Sequence, residues 1–252
     1  MTKIIVGNWK LNPLTPREAK ALLAKIKTKT PDSKKVRVVI CPPAVYLSLF
    51  DGGRLGNLSF GAQDAFWEDE GAYTGQISMP MVKYVGAMYV IIGHSERRAC
   101  GETNKMINAK VKKALKAGLQ IILCIGEKER DPNGHYLEFI KQQIEESLAG
   151  LKKQNLKNLT IAYEPVWAIG KEAKSADTPA EFIHNALFIK KILSKMFGKK
   201  EALSVSILYG GSVNKKNAAE FLTAGQADGL LVGRASLDPD QFGAIIKIAA
   251  NL

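Results

Sequence analysis

The sequence reads Ile161-Ala162-Tyr163-Glu164-Pro165-Val166-Trp167-Ala168-Ile169-Gly170 at the point that decides its fold. The apolar run that starts at Leu159 predicts a buried strand, and Pro165 ends it because proline donates no hydrogen bond and holds the preceding residue extended. Glu164 is therefore expected at the carboxyl end of this strand. The residues after Pro165 are too apolar for an ordinary surface loop and suit a flap that excludes water from a site. Glu164 is a candidate general base, although an isolated Glu-Pro pair more often marks only the end of a strand.

Strand-like and helical segments alternate from one end of the chain to the other. Two helix starts carry a capping box with proline in the first turn, at Thr15-Pro16-Arg17-Glu18 and at Thr178-Pro179-Ala180-Glu181. The strand candidates lack a clean polar alternation, which indicates a parallel sheet covered by helices. The predicted strands are residues 3–7, 36–40, 58–61, 89–92, 120–125, 159–163, 203–208 and 229–232, and the predicted helices are residues 16–27, 44–49, 79–85, 104–117, 136–152, 179–196, 215–222 and 239–249.

Eight strand–helix units in 252 residues favour a closed (β/α)8 barrel of the α/β class over an open doubly wound sheet. No linker or low-complexity segment divides the chain, so we expect one domain over residues 1–252. A hydrophobic content of 46% and a charged content of 24% are typical of a globular protein with a sizeable core. No apolar run approaches the ~18 residues of a membrane-spanning helix, and the start of the chain lacks the layout of a signal peptide. We expect no membrane partner.

The net charge of +12 raises the question of a polyanionic partner. Lysines are spread over the predicted helices and loops, no nucleic-acid-binding motif occurs, and aromatic residues do not alternate with the basic runs. These features favour a solvated basic surface over a nucleic-acid site, although such a surface still attracts small anions. The cysteines, Cys41, Cys100 and Cys124, are odd in number and lack metal-ligand spacing, which predicts free thiols in a reducing cytoplasm.

Chemistry in a barrel of this kind lies where the strands end and the loops begin. Reading only those positions brings together a lysine, an imidazole, a carboxylate and glycine turns. A lone histidine is more often structural than catalytic, but the joint placement is hard to explain without a site. The residues are Asn8 and Lys10 after the first strand, Gln63 and Asp64 after the third, His94 after the fourth, Cys124 and Glu127 after the fifth, Glu164 after the sixth, Gly210-Gly211-Ser212 after the seventh and Gly233 after the eighth.

The two late glycine turns predict an anion site. Gly210-Gly211-Ser212-Val213 and Gly233-Arg234-Ala235-Ser236 each lead into a helix. Glycine lets the backbone approach a ligand closely, and the N–H groups at a helix N-terminus favour negative charge. The loops after the seventh and eighth strands often bind phosphate in this fold.

The remaining groups suit proton abstraction next to a carbonyl. Ser95 is expected to cap a short helix, so His94 lies at a helix N-terminus, where the neutral imidazole is favoured and can donate a hydrogen bond. Lys10 and Asn8 add a charge and an amide that stabilise a developing enolate oxygen. Glu164 could remove a proton from the adjacent carbon. We therefore expect a reaction on a small phosphate ester that needs no metal and no organic cofactor.

Six motifs carry a resemblance to a known family. They occur in the family's order over nearly the whole chain and resemble triosephosphate isomerase. They are Asn8-Trp9-Lys10, Gly71-Ala72-Tyr73-Thr74-Gly75, Gly93-His94-Ser95-Glu96-Arg97-Arg98, Cys124-Ile125-Gly126-Glu127, Ala162-Tyr163-Glu164-Pro165-Val166-Trp167-Ala168-Ile169-Gly170 and Tyr209-Gly210-Gly211-Ser212-Val213.

The resemblance implies a role for each site residue in a TIM barrel that interconverts dihydroxyacetone phosphate and D-glyceraldehyde 3-phosphate, in glycolysis and gluconeogenesis. Glu164 would be the base and His94 the electrophile, while Lys10 and Asn8 bind substrate and stabilise the enediolate. The phosphate would be held by Gly170, Ser212, Gly233 and the backbone N–H of Arg234. Glu96 and Cys124 would support these residues, and Tyr163, Glu127 and Trp167 would latch the open lid. A homodimer is implied, with the loop from Gly71 to Ser78 beside the partner's active site and Thr74 against Asn8 and Lys10.

Three positions depart from the family pattern. The lid continues after Gly170 as Lys171-Glu172-Ala173-Lys174-Ser175-Ala176, where a shorter Thr-Gly-Lys hinge is usual. Arg234 replaces the second glycine of the eighth-strand turn. Gln76 stands where a glutamate usually pairs across the interface with the arginine at position 97, so an amide would have to satisfy Arg97.

Two other functions stay open at this point. One is a different barrel isomerase acting on a larger sugar or indole phosphate, which the short loops disfavour. The other is an inactive barrel whose basic surface binds nucleic acid, which the presence of Glu164, His94 and Lys10 together disfavours.

Overall fold

The computed structural model of the chain describes residues 2–50, 56–131, 133–168 and 177–252. Within them, eight parallel strands close into a barrel in chain order, because β1 pairs with both β2 and β8. This confirms the predicted fold class. The strands are β1 Lys3–Asn8, β2 Val36–Cys41, β3 Leu58–Ala62, β4 Tyr89–Ile92, β5 Gln120–Ile125, β6 Leu159–Tyr163, β7 Ser206–Tyr209 and β8 Gly229–Val232.

Helices cover the outside of the barrel. Both predicted capping boxes are present, with Thr15 accepting from the Glu18 N–H and Thr178 from the Glu181 N–H. The α-helices are α1 Pro16–Lys29, α2 Met79–Tyr84, α3 Ser95–Ala99, α4 Asn104–Lys116, α5 Tyr136–Ser147, α6 Pro179–Phe197, α7 Lys199–Ser204, α8 Ala218–Leu222 and α9 Pro239–Asn251. Short 3-10 helices occupy Ala44–Leu49, Lys153–Asn158, Val166–Ala168 and Arg234–Leu237.

The predicted seventh strand, residues 203–208, was wrong at its start. Residues 203 and 204 belong to α7, and β7 begins only at Ser206. The segment before β7 contains strong helix formers, and Lys190 donates from α6 to the carbonyls of Ala202, Leu203 and Val205. Ala202 is buried on this helix, whereas Leu203 is exposed on it.

Two helix predictions were too long. The helix predicted at 215–222 begins at Ala218, because Asn214 and Asn217 exchange side-chain to backbone bonds that compete with helix formation. The helix predicted at 136–152 ends at Ser147, and Leu151 already bonds back to the Leu148 carbonyl in the turn that follows.

The buried apolar side chains form two layers, one inside the barrel and one between the strands and the surrounding helices. Since successive strand side chains point to opposite faces, Ile91 and Ile122 pack inside the barrel, whereas Val90 and Ile92 pack against the helices. The inner layer is closed by residues from every strand but β3: Val6, Val39, Cys41, Tyr89, Ile91, Ile122, Cys124, Ala162, Leu208 and Leu231. Above this layer the strand ends can carry polar groups at the barrel mouth.

Candidate active site

The carboxyl ends of the strands surround a cavity of about 490 Å³. Seven of the residues expected to catalyse or bind substrate line it: Asn8, Lys10, His94, Glu164, Ser212, Gly233 and Arg234. The eighth, Gly170, lies outside the described residues, as do Ile169 and the hinge residues 171–176. Glu96 and Cys124, expected to support the site, do not line the cavity but contact residues that do.

Glu164 follows β6 directly and is almost completely buried. Its Oε1 lies 3.0 Å from His94 Nε2, and its Oε2 accepts from the Ser95 N–H at 2.9 Å. Gly126 permits this packing, since a Cβ there would lie 1.8 Å from the Glu164 carbonyl oxygen. Burial raises the pKa of Glu164, but His94 and the Ser95 N–H outweigh it, so the pKa lies below its usual value. The carboxylate is therefore ionised and ready to accept a proton.

His94 caps α3 with its own side chain. Its Nδ1 accepts from the Glu96 N–H at 3.2 Å, so Ser95, expected to be the cap, is instead the first residue of the helix. Burial lowers the pKa of His94, but the Glu164 carboxylate outweighs it and the pKa lies above its usual value. Because the Nδ1 lone pair is engaged, the ring proton of the neutral imidazole lies on Nε2, which faces Glu164.

Lys10 has an unusual backbone conformation. Its φ is 52°, a left-handed value that costs a non-glycine residue about 1 kcal/mol or more. The Lys10 N–H donates to Asn8 Oδ1 at 3.0 Å, the type of local bond by which asparagine stabilises turns. The Lys10 Nζ lies 2.6 Å from Glu96 Oε1. Asn8 thus uses its oxygen locally and keeps its Nδ2 donors for a ligand.

The glycine turns line the cavity next to Glu164 and Lys10. Ser212 is held in place by its hydroxyl, which donates to Ala168 O at 3.0 Å, and by Asn217, which donates to Ser212 O at 2.8 Å. A 3-10 helix begins at Arg234, and the N–H groups of a first helical turn have no partner within the helix. Arg234 is exposed and is not among the described residues with positive φ. The turn therefore accommodates an arginine without backbone strain.

A second cavity, of about 400 Å³, lies on the far side of Ser95 and Glu164, against α4 and α5. Arg98, Glu102 and Phe139 are part of its lining, whereas Lys10, His94 and the glycine turns are absent from it. Those groups all line the first cavity, which makes it the candidate site.

Comparisons with known proteins identify the family of the chain. The family model described as triosephosphate isomerase matches residues 3–249. The triosephosphate isomerase of Dictyoglomus thermophilum is 44% identical over 97% of the chain and 98% of its own length. That of Moorella thermoacetica is 44% identical over 97% of both chains, and that of Geobacter metallireducens is 42% identical over 99% of both. The chain belongs to the triosephosphate isomerase family.

Family resemblance pointed to a latch of Tyr163, Glu127 and Trp167, and these three side chains do meet. The Trp167 indole donates to Glu127 Oε1 at 2.7 Å, and the Tyr163 hydroxyl donates to the same oxygen at 2.8 Å. Sequence reasoning missed Arg130, which contacts Glu127 at 3.1 Å and Glu181 at 2.7 Å and lies 4.5 Å from the Trp167 ring centroid. Its spacing of three residues from Glu127 was the available signal, but it is common on surface turns.

Two further properties concern the described part of the chain alone. It contains no group of three or more histidine, cysteine, aspartate or glutamate side chains that could hold a metal ion. None of its helices combines the length and the apolar character needed to cross a membrane.

Proposed function

We propose that the cavity at the barrel mouth binds a triose phosphate and that Glu164, His94, Lys10 and Asn8 carry out the reaction of the triosephosphate isomerase family. The protein is an isomerase that interconverts dihydroxyacetone phosphate and D-glyceraldehyde 3-phosphate, a step of glycolysis and gluconeogenesis. The observation that carries the assignment of roles is the meeting of the Glu164 carboxylate with His94 Nε2 at 3.0 Å, in a cavity that Lys10 and the glycine turns also line. Family membership favours this function over the two alternatives left open by the residues.

The phosphate is bound at the glycine turns in this proposal. Backbone N–H groups at Gly233 and Arg234 and the Ser212 loop would donate to its oxygens, as helix N-termini do to anions. The Lys10 ammonium adds a fixed charge between this subsite and His94. Gly170 remains a proposed phosphate contact on the resemblance alone.

Substrate must displace the Glu164 carboxylate from His94 before chemistry begins. His94 Nε2 is engaged by Glu164 Oε1, and a substrate carbonyl oxygen taking that place would accept the Nε2–H bond instead. The released carboxylate would then face the carbon next to the carbonyl. Electrophile and base thus become available in one step.

The proton transfers balance within the substrate. Glu164 removes a proton from the carbon next to the carbonyl, the C–H electrons form the C=C bond, and the carbonyl oxygen becomes an enediolate oxygen. Lys10 and His94 stabilise that charge. A proton passes between the two oxygens through His94, and Glu164 returns its proton to the neighbouring carbon. No electrons leave the substrate.

We also propose a homodimer through the loop from Gly71 to Ser78. Large apolar side chains are exposed in the isolated chain on this loop and near it, which supports a partner surface. Arg97 pairs with Asp64 of its own chain at 3.1 Å, so Gln76 of a partner would not leave it without a carboxylate. Tyr73 and Ile77 are exposed on the loop, and Met81 and Tyr84 are exposed on α2, which follows it directly.

We propose a cytoplasmic location because the thiols of the chain are free. Cys41, Cys100 and Cys124 are all free. This is the state expected in a reducing compartment.

A coupled assay tests the proposed function. The purified protein is given D-glyceraldehyde 3-phosphate, and dihydroxyacetone phosphate is detected by an NADH-linked reductase. We expect rapid turnover by the unaltered chain, and a loss of at least about 10³-fold in Glu164→Gln, which keeps the shape of the side chain but cannot take a proton. Absence of turnover in folded, dimeric protein would overturn the proposal.

A further inference from the structure

Gln63 follows β3 directly and does not line the substrate cavity. Its Nε2 donates to the carbonyl of Lys10 at 2.8 Å and to the carbonyl of Cys41 at 2.9 Å. A primary amide has two N–H donors, so these bonds use its whole donor capacity. The half-buried amide thereby ties together the ends of β1, β2 and β3.

Lys10 is the residue that most needs such support. Its φ of 52° is sparsely populated for a lysine, and such conformations persist only where the surroundings over-determine them. Both polar groups of its backbone are held: Asn8 Oδ1 accepts from the N–H at 3.0 Å, and Gln63 donates to the C=O. The direction of the side chain follows from this conformation, because φ sets where the Cα–Cβ bond points.

We propose that Gln63 is a positioning residue that holds the Lys10 backbone in its left-handed conformation and so fixes the ammonium group at the substrate cavity. Gln63 does not touch substrate in this arrangement. The inference rests on the proposed role of Lys10 in binding and catalysis. It predicts that loss of the Gln63 amide displaces the Lys10 ammonium, whose charge acts on both the bound phosphate and the enediolate.

The same strand supplies a matched control at its other end. Asn57 immediately precedes β3, and its Nδ2 donates to the carbonyls of Pro31 at 2.9 Å and Ser33 at 2.7 Å. This amide makes the same number of bonds to the same kind of acceptor, but at the opposite end of the barrel. Removing it costs stability without reaching the cavity.

The first experiment compares Gln63→Met with Asn57→Leu in steady-state kinetics and thermal unfolding. We expect similar losses of Tm. Gln63→Met should raise KM and lower kcat together, reducing kcat/KM by about 10- to 100-fold, because displacements near 1 Å in an active site have effects of that size. Asn57→Leu should stay within about 2-fold of the unaltered enzyme. A merely structural role would reduce the amount of active enzyme, lowering apparent kcat while leaving KM unchanged.

The second experiment combines Gln63→Met with Lys10→Met. Once the Lys10 charge is absent its position no longer matters, so the double variant should lie within about 2-fold of Lys10→Met alone, whereas independent effects would multiply. If Lys10→Met is impaired and Gln63→Met is not, the positioning role is wrong. If Lys10→Met itself keeps full kcat/KM, the proposed function of Lys10 fails first, and the two failures are distinguishable.

A milder change covers the case in which Gln63→Met does not fold. Gln63→Asn keeps an amide but withdraws it by roughly 1 Å, so it cannot reach both carbonyls. We expect a smaller loss with the same joint change of KM and kcat. Unaltered kinetics in this variant would also overturn the proposal.

Discussion

Lys10 and Lys190 lie at opposite ends of the barrel and use the same side chain in opposite ways. The Lys190 ammonium donates to the carbonyls of Ala202 and Leu203, at 3.2 and 3.1 Å, and to that of Val205, and so ends α7 at the amino end of β7. The Lys10 ammonium has one carboxylate partner, lines the cavity, and is attached to a strained backbone.

The difference separates stability from function. At the amino end, long polar side chains satisfy backbone groups that would otherwise be buried without partners. At the carboxyl end, Glu164, His94 and Lys10 make bonds that the proposed substrate would replace, and Lys10 has a strained backbone. Groups arranged for catalysis are seldom arranged for maximal stability. Variants at the two ends should therefore fail in different measurements.

Among the variants that compare the two ends, Glu164→Asp should have the largest effect. Losing one methylene withdraws the carboxylate by ~1 Å, which lowers kcat by about 10²-fold or more, while the fold and phosphate affinity are kept. Single-turnover kinetics and inorganic phosphate inhibition measure the two properties separately. A near-normal kcat would remove Glu164 from the role of base.

Lys10→Met should follow, with kcat/KM reduced by about 10- to 100-fold. Both KM and kcat change, because the charge faces the phosphate in the ground state and the enediolate in the transition state. Tm should stay nearly unchanged, because the bonds that hold the turn are made by the backbone of residue 10 and are kept in this variant. Steady-state kinetics at low and high ionic strength check this, and an unaltered kcat/KM excludes Lys10 from the site.

Lys190→Met is the counterpart at the amino end. It removes the donor shared by three carbonyls, of which that of Ala202 still accepts from the Val205 N–H and that of Leu203 is bonded at an exposed position. The free energy of unfolding should therefore fall by about 1 kcal/mol, the net contribution of one hydrogen bond. Activity below the unfolding temperature should be unchanged. Denaturant titration and steady-state kinetics on the same preparation measure the two properties. A changed KM would show that the amino end of the barrel also affects the candidate site.

Asp177 lies at the same end of the barrel as the candidate site, and replacing it measures how much a buried side-chain carboxyl lowers the stability of the fold. Burial and the neighbouring Glu181 raise its pKa to about 7. The folded protein thus binds a proton that the unfolded chain releases near pH 4, so this group lowers stability as pH rises from about 4 to 7. Asp177→Asn should stabilise the protein by on the order of 2 kcal/mol at pH 8 and have little effect at pH 4. Unfolding at both pH values tests the sign, and equal effects would contradict it.

The smallest expected effect is that of Arg234→Gly. The residue does not have a positive φ, so the turn does not require glycine, and the proposed phosphate contact is its backbone N–H. KM should stay within about 2-fold, with stability slightly lower because glycine has more freedom in the unfolded chain. A large gain in both affinity and stability would show that the turn favours glycine after all.

Local patterns predicted a large part of the fold. Most strand–helix units can be recognised from a short window of sequence. The capping boxes at Thr15 and Thr178 mark helix starts by bonds made within four residues. The errors fell where local and tertiary preferences compete, as at residues 203 and 204, which belong to α7 because Lys190 holds the end of that helix.

The sequence by itself determined that a carboxylate, an imidazole, a lysine and glycine turns end the strands of one parallel barrel, because strand direction follows from connectivity. Only the tertiary structure decided how they meet. The bonds from Ser95 to Glu164 and from Gln63 to Lys10 join residues 69 and 53 positions apart. Such contacts depend on the register in which the barrel closes, which no short window contains. The physical reason is that periodicity is encoded locally, whereas the geometry of a site is set by packing between distant strands.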